Sequence, residues 1–208
     1  MLQLEETDIV KEIKEYSDLN YHFILEAIEN LRENDITIKV FNSSKTPDNC
    51  GGYFDCYDKV LALSIQRTMK SFVELFAHEY CHFIQWKKGL KVWKEIETVT
   101  DYLHPATRNL DITDDIKKVQ RLERDCDKRV LDLIKKKKLE LNYTDYLIDA
   151  NCYVAFHDII KITRTWNKYS IYNSELQAMM PKDRLIKTIN CLGRKKEEFI
   201  IKCIKKVY

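Results

Sequence analysis

His78-Glu79-Tyr80-Cys81-His82 constrains this chain more than any other stretch. It lies within Ser71–Trp86, where Phe72, Val73, Leu75, Phe76, Ala77, Phe83 and Ile84 leave no wide polar face, so the pattern predicts a core helix. On a helix, residues i and i+4 stand one turn apart on the same face. His78 and His82 can therefore turn two ring nitrogens towards one point, with Glu79 beside it. Burying two imidazoles and a carboxylate is costly unless something satisfies them. A shared Zn2+ ion would do so, and Glu79 would then act as general base on a metal-activated water. The competing reading is a pair of core histidines hydrogen-bonded to backbone or tyrosine. It accounts for neither the spacing nor the glutamate.

Composition sets the frame for that helix. The 208 residues suit a single domain, 1–208, and four Gly and three Pro favour a mostly helical one. The 35 basic and 33 acidic side chains leave a net charge of +2, which argues neither for nor against nucleic acid as a partner. Seven Cys, an odd number with no C-x-x-C pair, speak against a disulfide framework and for a reducing cytoplasm. The N-terminus does not read as a signal peptide. No apolar run approaches the ~20 residues that span a bilayer, so a cytoplasmic location without membrane contact is expected.

The expected fold class is α+β: a mostly helical domain with a small antiparallel or mixed sheet packed on the motif helix. Residues 1–34 read as helices over 5–16 and 18–33, the second capped by Asp18. Residues 35–66 carry the sheet, with strands near 36–41, 53–56 and 59–64, the last two forming a hairpin. The motif helix covers 68–88, and Gly89 stops it. Residues 90–111 give no clear element. Residues 113–208 form a C-terminal helical subdomain, with helices over 114–138 (capped by Thr113 and the two Asp after it) and 145–166. A final helical region starts at Pro181 and breaks near Gly193. Residues 182–208 carry nine basic and three acidic side chains, read as a solvated face, with a nucleic-acid role as the alternative.

Two histidines do not complete a catalytic zinc site, which takes three protein ligands and an open position. Glu123 is the first candidate for the third. It shares a helix face with Cys126, Asp127, Val119 and Val130, and Asp127 suits a hydrogen bond to the far nitrogen of a ligand histidine. His104 is the alternative third ligand, and Asp101 is another.

Strand, hairpin, H-E-x-x-H helix and a helix bearing Glu123-Arg124-Asp125-Cys126-Asp127 resemble the zincin metallopeptidases, in particular gluzincins of the small ImmA kind. Those have a Gly-aromatic hairpin before the motif helix, here Gly52-Tyr53-Phe54 to Leu61–Ser64, and take their third ligand from a Glu-x-x-Ala-Asp type segment. The same residues, with Ala150-Asn151-Cys152-Tyr153, are similar to uncharacterised peptidase-like proteins encoded by large bacteriophages. The resemblance covers roughly residues 50–165. It implies a zinc-dependent peptidase acting on a protein or peptide substrate, with His78, His82 and Glu123 on the ion and Glu79 as general base. Tyr153 or His157 would supply a donor to the developing oxyanion. The strand 59–64 would pair with an extended substrate. A second resemblance, to the SprT-like proteases of DNA-bound proteins, would use His104 as third ligand. A non-enzymatic alternative is a degenerate zincin serving as a binding or assembly module.

Overall fold

The computed structural model describes residues 8–99, 104, 107, 109–165 and 171–205. They form a mostly helical α+β fold with one three-stranded mixed sheet. The chain groups into two compact units, where the sequence suggested one domain. The first is Met1–Lys88 with Arg129–Asn142, and the second is Gly89–Lys128 with Tyr143–Tyr208.

The first unit opens with α1 (Asp8–Tyr16) and α2 (Asp18–Arg32). The cap of α2 is Ser17 and not Asp18: the Ser17 hydroxyl accepts the N–H of Asn20 at 3.2 Å. Both residues are good caps, and the extended backbone of Ser17 decides between them. The sheet follows as β1 (Thr37–Phe41), β2 (Gly52–Asp55) and β3 (Val60–Ser64), in the order β1-β3-β2. β1 runs parallel to β3, with Thr37 opposite Val60 and Phe41 opposite Ser64. β2 runs antiparallel, with Gly52 opposite Leu63 and Asp55 opposite Val60. At the hairpin turn the Asp55 carboxylate accepts the N–H groups of Tyr57 and Asp58 at 2.8 and 3.0 Å, a local bond that stabilises the reversal.

β3 is buried along its whole length, as its unbroken Val-Leu-Ala-Leu run requires of a central strand. That corrects one expectation. β3 is bonded on both edges and has none left for a substrate; the outer strand of the hairpin is β2.

α3 (Met69–Lys87) carries the motif. Thr68 caps it by accepting the N–H of Ser71, and Gly89 past its end takes a left-handed φ of 57°. One side packs on β2 and β3, where Phe54 meets Phe83 and Trp86 with ring centroids 5.8 Å apart in each case. Another side meets α2, where Phe23 meets Phe76 edge-on at 6.1 Å. Ile24, Leu31, Leu61, Leu63, Phe72, Phe76 and Phe83 are fully buried. Each contributes about 1.5–3 kcal/mol by leaving water, so the motif backbone is held by the core.

The second unit contains α4 (Lys91–Ile96), the start of α5 (Thr113–Lys137), α6 (Tyr143–Thr163), α7 (Ser174–Gln177), a 3-10 segment Ile189–Lys195 and α8 (Lys196–Lys205). At the start of α5 the Asp111 carboxylate accepts the Thr113 N–H at 2.9 Å, and Asp114 and Asp115 stand in the first turn. α6 is buried nearly all round, with Leu147, Val154, Phe156, Ile159 and Ile160 in the core. Asn151, fully buried, holds the returning chain: it donates to the carbonyls of Pro181 and Arg184 at 3.0 Å each and accepts the Ile186 N–H at 2.8 Å. The break expected near Gly193 is present, at a left-handed φ of 56°. Among the described residues no helix is long and apolar enough to cross a membrane.

Candidate metal centre

The motif histidines meet as the helix spacing requires. Nε2 of His78 and Nε2 of His82 are 3.1 Å apart, with the rings crossing at 84°. Two nitrogens on one tetrahedral zinc, with Zn–N bonds of about 2.0–2.1 Å, stand roughly 3.3 Å apart. The pair therefore fits an ion with almost no change. The same separation also allows one ring to donate to the other. His82 is 8 % exposed, Glu79 is 6 % exposed and His78 is half-buried, so the donors are shielded from water.

The surroundings in the first unit hold these side chains in place. Nδ1 of His82 lies 2.8 Å from Oε1 of the fully buried Gln85. With that oxygen accepting, Nδ1 carries the proton and Nε2 presents its lone pair. The backbone of Gly52 on β2 is close against Glu79: a Cβ there would stand 3.2 Å from Glu79 Cγ and 2.8 Å from the Ala62 carbonyl oxygen. Cys50, just before β2, feels the Glu79 charge. Burial is the main influence pushing its thiol pKa up, and the Thr46 hydroxyl at 3.1 Å partly offsets it. Tyr80, two residues from each motif histidine, lies on another side of the helix. It accepts from Asn30 Nδ2 at 2.6 Å, and Asn30 Oδ1 accepts Lys87 Nζ at 2.8 Å, tying α3 to α2.

In the second unit, Glu123, Cys126 and Asp127 are all buried on α5, as their shared face predicts. Asp127 is held by Tyr146, whose hydroxyl donates to Oδ1 at 2.9 Å. The far nitrogen of His82 is taken by Gln85, so the service expected of Asp127 is performed for that ring by a residue of its own helix. Tyr153 and His157 share a face of α6, with ring centroids 4.8 Å apart and planes at 81°. His157 Nδ1 lies 2.9 Å from the Tyr153 carbonyl oxygen and donates to it. Burial holds the His157 pKa below its ordinary value, against the opposing pull of Glu123 first and of Asp158 and Asp127 after it. A neutral ring with its proton on Nδ1 has none on Nε2 to give. Of the two, Tyr153 is the one with a proton to donate.

His104 is exposed, with its carbonyl oxygen accepting the Thr107 hydroxyl at 2.8 Å. Asp101 lies outside the described residues. Four features escaped the sequence reading. Gln85 was legible, since it stands three residues after His82 on a predicted helix. Gly52 and Cys50 come to Glu79 only through strand pairing. Partial burial is the main influence raising the pKa of Tyr172, which is 48 % exposed as a residue. Its hydroxyl is also within electrostatic reach of Asp127, Asp149, Cys152 and Glu123. Nothing in the local sequence signals it.

Comparison with family models, with curated proteins and with solved structures returns no match to this chain.

Proposed function

We propose that this protein is a zinc-dependent peptidase of the zincin kind. The observation that carries the reading is the 3.1 Å approach of the two Nε2 atoms across one helix turn, with the buried Glu79 adjacent to His78 in the chain. The donor set it calls on is His78 and His82 with one residue of α5, Glu123 or the thiolate of Cys126. When bound, zinc supplies Lewis-acid chemistry: it lowers the pKa of a water and polarises a peptide carbonyl. Glu79 takes the proton of that water and returns it to the leaving amine. The burial of Glu79 keeps bulk water from competing for that proton. Tyr153 donates to the oxygen that gains charge. The substrate is an extended peptide lying along β2, which among the described residues is bonded to β3 alone. Gly52 lets the chain pass close to Glu79. The site of action is a reducing cytoplasm, in keeping with seven cysteines and no disulfide among them.

The test begins with metal analysis of the purified protein, followed by digestion of an unfolded protein with and without a chelator. About one zinc per chain and chelator-sensitive cleavage are expected. Glu79→Gln should keep the zinc and lose cleavage by roughly 10²–10⁴-fold. His78→Ala should lose the zinc. Cleavage by Glu79→Gln at the normal rate, or zinc uptake indifferent to His78→Ala, would defeat the proposal.

A further inference from the structure

We infer that Gln85 is a positioning residue that locks His82 in the tautomer with a bare Nε2. The inference rests on the metal reading for its purpose, and on the hydrogen bond itself for its content. The Gln85 side chain is fully buried, and its Oε1 lies 2.8 Å from His82 Nδ1. It sits on the same helix as the ring it holds, three residues on, so the contact is set by helix geometry and by the core around α3. An amide oxygen accepts and cannot donate. The proton of His82 therefore stays on Nδ1, and the Nε2 lone pair points at His78 Nε2, 3.1 Å away. The ring is prepared before any ion arrives: no tautomer change and no ring turn accompany binding.

A carboxamide in this position differs from a carboxylate. Both fix the tautomer. The carboxylate would also pull on the Nδ1 proton and make Nε2 a stronger donor. Gln85 gives orientation without that added basicity. The protein thus has an unspent means of tightening its hold on the ion: Gln85→Glu supplies the missing charge.

The experiment uses two readouts on the whole chain. The first is long-range ¹H–¹⁵N NMR of the metal-free wild type with ¹⁵N-labelled histidine. His82 is expected to show a protonated Nδ1 and a bare Nε2. The reverse pattern would mean that Gln85 presents its NH₂ group instead, and would overturn the inference. The second is zinc competition against a chromophoric chelator. Gln85→Leu is expected to bind zinc about 10-fold more weakly, and Gln85→Glu at least as tightly as wild type. Wild-type affinity in Gln85→Leu would also overturn the inference. If the wild type takes up no zinc, the metal reading falls by itself, and the NMR pattern of His82 alone decides the role of Gln85.

Discussion

The α-carbon of Gly52 faces the side chain of Glu79 so closely that a methyl group between them would stand 3.2 Å from Glu79 Cγ. The same methyl would be 2.8 Å from the Ala62 carbonyl oxygen, a distance that forces the backbone to move. Gly52→Ala should therefore cost about 1–3 kcal/mol in stability, read by urea denaturation. On the proposed function it should also lower peptide cleavage by 10-fold or more while zinc content stays at wild type, because the displaced group would be the proton acceptor and not a ligand. An unchanged cleavage rate in a folded Gly52→Ala protein would show that Glu79 has room to spare.

Asn151 satisfies two carbonyls and one N–H of the segment 181–186 from inside the second unit. Asn151→Leu keeps the size and removes all three bonds, leaving buried backbone groups without them. A loss of roughly 2–4 kcal/mol is expected. Hydrogen exchange should show the Ile186 amide losing protection before the amides of β3. A variant as stable as wild type would mean that water replaces the carboxamide.

Cys152 gives a pH dependence whose sign is fixed. Burial raises its pKa from the ordinary 9.0 to about 12, with Asp149 adding to the shift. The unfolded thiol ionises first, so the contribution to stability is complete below pH 9 and lost as pH rises towards 12. The slope is about 1.4 kcal/mol per pH unit within that window. Denaturation midpoints of wild type and Cys152→Ala, compared at pH 8.5 and 10.5, should differ more steeply with pH for the wild type. Parallel slopes would contradict the buried thiol.

Among the seven cysteines, Cys191 is exposed, and hydrogen bonds from the backbone at Lys187 and Thr188 hold its thiol below the ordinary range. Iodoacetamide at neutral pH should label it first, with Cys152 among the last. Mass spectrometry at short times reads the order. Cys50, pushed up by burial, should lag behind Cys191 although it too is partly accessible.

Much of this architecture is legible in the chain, and the misses have physical reasons. The 3.6-residue stripes predict α2, α3, α5 and α6 to within a few residues, because each helix buries a long apolar face. Caps are harder: Ser17 and Asp18 are equally good by type, and only the backbone angle separates them. The central place of β3 was written in its unbroken apolar run, but strand order depends on partners far away in sequence. α4 is too short for periodicity to declare itself, and the burial of Trp93 marks its inner side. At the candidate site, the approach of His78 and His82 follows from spacing alone. Gly52 and Cys50 do not, since each reaches Glu79 through a strand pairing that no local pattern encodes, and no local pattern marks the acidic neighbours of Tyr172.

The two middle residues of the motif are not spacers. Tyr80 is bonded to Asn30, which also takes Lys87, and Cys81 is buried. Positions 30, 80 and 87 therefore make one exchangeable set. In any lineage of this protein they should change together, so that covariation between α2 and α3, rather than the motif itself, would be the trace by which distant kin are found.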